Sequence, residues 1–97
     1  MFDLIVTIDV REDADVPDVA DALARMRPLC LAEDGCVAWE AYQSDESPRR
    51  FTLVERWATR EKWEAHGEER AIRDVYLPEI LPRVDREVHP SRPVTES

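Results

Sequence analysis

At 97 residues, 43 % apolar and 36 % charged, the chain has room for one domain and one core, in the balance of an ordinary soluble fold rather than a disordered segment. A formal net charge of -9, with acidic residues spread along the sequence, sets the surface against phosphate backbones and anionic bilayers, so neither nucleic acid nor membrane is an expected partner. No apolar run approaches membrane-spanning length, and Met1-Phe2-Asp3-Leu4 lacks the basic start of a signal peptide, so the expected location is cytoplasmic.

Residues 2–11 alternate, with Leu4, Val6, Ile8 and Val10 on one side and Asp3, Ile5, Thr7 and Asp9 on the other, which predicts a first strand. Over 15–32 the period lengthens. Val16, Val19, Ala20, Leu23, Met26, Arg27 and Cys30 form a stripe opposite Asp18, Asp21 and Arg25, as an amphipathic helix requires. Asp15 is the expected N-cap and Pro17 fits the first turn. Pro28 is expected to kink or end the helix near Arg27, with at most one turn beyond. Gly35 then frees the backbone for a tight turn.

Residues 36–44 read as a second strand, with Val37, Trp39 and Ala41 on one face and Ala38, Glu40 and Tyr42 on the other. Asp45-Glu46-Ser47-Pro48 is turn chemistry, so residues 50–57 should return as the third strand of a hairpin. There Phe51, Leu53, Glu55 and Trp57 alternate with Thr52, Val54 and Arg56, and the pattern leaves open which face meets the helices. Thr59 is the expected cap of a second helical region, with Trp63, His66, Gly67 and Arg70 along one stripe. Gly67 weakens that helix, Ile72, Val75 and Tyr76 resume it, and Pro78 and Pro82 should stop it. Residues 83–89 give the fourth strand. The unit is therefore 1–89, with 90–97 expected as a flexible tail.

The order β-α-β-β-α-β predicts an α+β, ferredoxin-like fold, a four-stranded antiparallel sheet with both helices on one face. Its other face keeps apolar residues, so two sheets are expected to pack as a homodimeric α+β barrel. Cys30 and Cys36 read as reduced thiols, with a local disulfide as the alternative. No CxxC motif or Cys/His cluster in the sequence points to a metal. Gly35 and Gly67 are the only glycines, too far apart for a dinucleotide-binding loop.

Gly35-Cys36, Trp39 with Glu40 and Tyr42, Pro48 and Phe51, Glu55-Arg56-Trp57, Thr59-Arg60-Glu61 and Ala65-His66 together resemble the antibiotic biosynthesis monooxygenase family. The family typically shows a Gly-Cys start, a Phe-led strand ending Glu-x-Trp, and a helix that closes on a histidine. Trp39 stands where tyrosine is commoner. The resemblance implies a dimeric barrel with a cavity between sheet and helices. It also implies a cofactor-free monooxygenase that uses molecular oxygen to convert an electron-rich aromatic polyketide, phenol or quinol to a quinone. The haem-degrading branch of the family looks for an asparagine on the first strand and a histidine late in the second helical region. This chain has Thr7 at the first position and no histidine from Gly67 to Pro82, so haem is not expected.

Oxidation of a phenol by oxygen needs a proton acceptor, a dry apolar cage and a donor for the developing oxyanion. His66 is the expected acceptor because imidazole titrates near neutrality; the bland alternative is a helix histidine bonded to a nearby loop. Trp57 is a cavity wall and N–H donor, or a core tryptophan. Glu55 is a general base, or a satisfied structural carboxylate paired with an arginine. Trp39, Tyr42, Trp63, Tyr76 and Thr7 are the expected lining for a small aromatic or hydrophobic substrate, although aromatics at such spacing are more often core. The competing functions are a non-catalytic dimeric module binding a small hydrophobic molecule, and an isomerase or cyclase on the same fold.

Overall fold

The computed structural model describes residues 1–95; Glu96 and Ser97, the end of the expected tail, lie outside the described residues. The elements run β1 (Phe2–Val10), α1 (Val16–Leu31), β2 (Cys36–Gln43), β3 (Arg50–Trp57), α2 (Arg60–His66), α3 (Ala71–Ile80) and β4 (Val84–Ser91), with short 3-10 turns before α1 and β4. The four strands form one sheet in the order β2-β3-β1-β4, and every neighbouring pair is antiparallel. This is the ferredoxin-like arrangement the element order predicts.

Alternation decides which side is covered. Leu4, Val6, Ile8 and Val10 are buried together with Phe51, Leu53, Glu55 and Trp57, so these residues of β1 and β3 form the face beneath the helices. Val19, Ala22, Leu23, Met26 and Cys30 of α1 are buried against it. Each fully buried aliphatic side chain there contributes about 1.5–3 kcal/mol of burial. Arg27, expected on the apolar stripe, instead points outward and pairs with Glu40 at 2.6 Å. Ala22 takes the buried place, because the stripe drifts around a helix of 3.6 residues per turn.

Pro78 is tolerated where the sequence predicts a stop, while α1 ends within the one turn expected beyond Pro28. α1 passes through Pro28 to Leu31. Pro28 and Ala24 are both exposed, so the carbonyl deprived of its donor lies on the solvated side of the helix. α3 passes through Pro78 as a π-helix, and the N–H of Leu81 reaches back five residues to the carbonyl of Tyr76. The wider turn gives the proline ring more room than an α-helical turn would.

Asp15 makes no side-chain cap, because a 3-10 turn over Asp13–Asp15 precedes α1 and the N–H of Asp15 goes to Glu12. Thr59 does cap α2, accepting from the N–H of Lys62 at 3.1 Å. β2 carries a bulge between Cys36 and Ala38. Val37 is the extra residue and is 49 % exposed, so Cys36, not Val37, shares the inner face with Trp39 and Ala41. β4 continues through Pro90 and Ser91, paired with Leu4 and Asp3, two residues past the expected boundary.

Candidate functional site

The site begins at a turn. Ala32 to Gly35 links α1 to β2, with the Glu33 N–H bonded to Cys30 O at 3.0 Å and the Cys36 N–H to Glu33 O at 3.1 Å. Gly35 sits at φ +88, and a Cβ there would collide with the aliphatic stem of Lys62. Only glycine satisfies both demands. The close approach lays the turn against α2, where the Lys62 ammonium pairs with Asp34. One helical turn on, His66 Nδ1 lies 2.6 Å from Glu33 Oε1, with these side chains only 6 % and 8 % exposed.

Two further residues complete the inner wall. Glu55 is 4 % exposed, and its Oε1 accepts from the Trp57 indole N–H at 3.0 Å. The Trp57 ring backs His66, with centroids 4.8 Å apart and planes tilted by 43°. Burial pushes the Glu55 carboxyl up, opposed by that hydrogen bond and by the neighbouring His66 and Arg86 charges. Burial also pushes the Glu33 carboxyl up to about 7, with the Glu69 charge adding to it. His66 is driven the other way, toward its neutral form, chiefly by burial. The Nδ1···Oε1 contact requires a proton between its two atoms, carried by one or the other.

His66 and Glu55 open onto a cavity of about 240 Å³ between the sheet and the three helices. Apolar side chains from every side, including Leu4, Met26, Leu53 and Trp63, make up most of its lining, and Tyr76 and Arg86 supply the other polar groups. An outer groove of about 440 Å³ shares Trp63, His66, Ile72, Tyr76 and Arg86 with it. Arg86 lies over the Tyr76 ring at 5.4 Å and donates to its hydroxyl at 3.3 Å. Among the described residues no carboxylate pairs with Arg86. Trp63 stacks on Phe2 with centroids 5.3 Å apart.

Of the residues expected from the sequence, the structure brings His66, Glu55, Trp63 and Tyr76 to one cavity. Trp57 stands behind His66 and spends its N–H on Glu55, so it offers no donor to a ligand. Glu55 has that indole for a partner instead of the arginine of its structural reading. Trp39 is buried elsewhere, between α1 and β2, with an indole nitrogen that has no partner among the described residues. Tyr42 is 60 % exposed and pairs with Thr52, and Thr7 pairs with Thr52 and Glu87. Both lie on the sheet face opposite the helices, because their strand positions are out of phase with the core residues.

Glu33 and Arg86 escape a reading of the sequence alone. A glutamate in a polar turn gives no signal of burial. Arg86 did leave one: it stands between Val84 and Val88, two residues from each, so it must share their inward face. The fold also gathers one set of possible metal ligands that sequence spacing does not suggest, namely Cys30, Glu33 and His66.

A family model described as antibiotic biosynthesis monooxygenase matches residues 1–76. No curated protein matches the sequence. Among solved structures, one of an antibiotic biosynthesis monooxygenase superposes with a TM-score of 0.88 at 18 % identity, covering 98 % of this chain and 100 % of the other. A protein of unknown function from Bacteroides thetaiotaomicron, described as a possible oxidoreductase, gives 0.84 at 20 % identity, covering 93 % and 94 %. PA3566 from Pseudomonas aeruginosa gives 0.83 at 12 % identity, covering 97 % and 95 %. At these identities the structural likeness speaks for the fold.

Proposed function

The chain belongs to the antibiotic biosynthesis monooxygenase family, and on that premise we propose that it oxidises a small electron-rich phenol or quinol with molecular oxygen, without a cofactor. The observation that carries this reading is a buried Glu33–His66 pair set in the wall of an apolar cavity. Glu33 engages Nδ1, which leaves Nε2 of His66 as the nitrogen free to accept a proton. As the phenol O–H transfers its proton to Nε2, imidazolium forms, and the Glu33 carboxylate balances it. Arg86 and the Tyr76 hydroxyl stabilise the phenolate.

The phenolate passes one electron to oxygen, and the resulting radical pair closes a C–O bond at the carbon para to the phenol oxygen. Protonation by His66 gives the hydroperoxide. Loss of the ring C–H proton with cleavage of the O–O bond then expels water and leaves the quinone. One phenol with a para C–H and one oxygen molecule become one quinone and one water; a quinol, whose para carbon already carries oxygen, instead gives two electrons and two protons to oxygen and yields the quinone and hydrogen peroxide. The apolar lining of the cavity disfavours water, and its volume of about 240 Å³ suits one or two rings, with the outer groove for substituents.

Pairing of two chains through the open sheet face is part of the proposal. Ile5, Val54, Ala38 and Tyr42 lie on that face, framed by the ion pairs Asp3–Arg56 and Asp9–Arg50.

The test is oxygen uptake by chelator-treated protein with a panel of hydroquinones and anthrones. His66→Ala should lower the rate by about 10²–10⁴-fold. An unchanged rate would discard the histidine as the proton acceptor, and no uptake above the uncatalysed rate in the parent protein would discard the activity.

A further inference from the structure

Cys30, on the last turn of α1, lies three residues before Glu33, and the turn after the helix folds Glu33 back over it against α2. A sulfur, a carboxylate oxygen and an imidazole nitrogen from Cys30, Glu33 and His66 consequently lie within 4.8 Å of one another. Cys30 is fully buried, and the other two side chains are more than nine-tenths buried. Glu33 Oε2 is one of the two buried side-chain polar atoms left without any partner among the described residues. A buried carboxylate with an unused oxygen beside a buried thiol is costly when left so.

We infer that Cys30, Glu33 and His66 form a binding site for a borderline divalent cation of the zinc class. Sulfur, nitrogen and oxygen donors in one small cluster match that class better than magnesium or calcium, which take oxygen alone. One thiolate and one carboxylate against a doubly charged ion leave the buried centre with no net charge. Burial already keeps His66 neutral, the form that ligates. On binding, the thiol proton leaves to solvent and the proton between Glu33 and His66 passes to Nε2, so that Nδ1 ligates from a neutral imidazole. The three protein donors leave a fourth position for water. The ion would tie the end of α1 to α2, which now meet through the Lys62–Asp34 and His66–Glu33 pairs. This inference goes beyond the proposed oxidation and does not rest on it, because its readout is binding.

The experiment is titration of the chelator-treated full chain with Co²⁺, then Zn²⁺. One equivalent of cobalt should raise a near-ultraviolet thiolate-to-metal charge-transfer band, which zinc then bleaches. Cys30→Ser should abolish the band and weaken zinc by at least about 100-fold, whereas Cys36→Ser should bind like the parent. X-ray absorption of the zinc-loaded parent, which needs no variant, should show one sulfur at about 2.3 Å with nitrogen and oxygen near 2.0–2.2 Å. The inference is overturned by absence of a band in the parent at millimolar cobalt, by loss of the band in Cys36→Ser, or by an absorption spectrum without sulfur.

Discussion

Glu55 and Arg56 are adjacent on β3 and point to opposite sides of one sheet. Arg56 looks outward and meets Asp3 at 2.6 Å on a half-exposed surface. Arg50 on the same strand does the same, meeting Asp9 at 2.9 Å. Glu55 looks inward and, among the described residues, has only a neutral indole N–H for a hydrogen-bond partner. Glu33 and His66 are likewise buried, with each other for company. On the open face, charges are cheap because water and a counter-ion share the work. On the covered face, an apolar residue of similar size would usually be the more stable choice, and it is on these buried carboxylates and this imidazole that the proposed function rests.

The largest expected effect is on the covered face. Trp57→Ala should cost about 3–5 kcal/mol in denaturant unfolding, from the lost burial and cavity, and it also strands Glu55 without its donor. A loss no larger than that of a surface substitution would break the comparison. Glu55→Gln comes next and carries a pH signature. The folded carboxyl is raised above its ordinary 4.5, so its contribution to stability is fully present below that pH and fades as pH rises through the folded value. In metal-free protein, Glu55→Gln should therefore gain on the parent from acid toward pH 8, by about 1–3 kcal/mol. Parallel pH–stability curves would refute it.

The open face should respond weakly. A double-mutant cycle on Asp3 and Arg56 should give a coupling of about 0.2–1 kcal/mol, shrinking in high salt; a coupling above 2 kcal/mol would erase the contrast. Smallest is Asp9→Asn. Arg50 holds the Asp9 carboxyl below its ordinary 3.8, so the pair's contribution is present above that pH and lost as pH falls through the folded value. The variant should be weaker by about 0.5 kcal/mol near neutrality and indistinguishable from the parent in strong acid, as read by thermal unfolding against pH.

The strands and both helical regions are legible because alternation and the 3.6-residue stripe are direct projections of a buried face. Once the strands are known, Glu55 and His66 are also legible, since each occupies a core position with a polar side chain. Glu33 is not legible, because its burial comes from the Gly35–Lys62 contact between residues far apart in sequence. Pro78 misleads for a related reason. Whether a helix survives a proline depends on where the orphaned carbonyl points and how wide the local turn is, and tertiary packing decides both. Val37 keeps the strand pattern in letters, yet the bulge puts it on the outer surface.

That bulge has a consequence for association. β2 and β4 are the two borders of the sheet, and a border strand with free amides invites a neighbour's strand to zip on. The bulge at Val37 breaks the spacing of one border. On the other, Pro90 removes a donor inside β4. Neither rim offers a long even ladder, so growth into open-ended ribbons is discouraged.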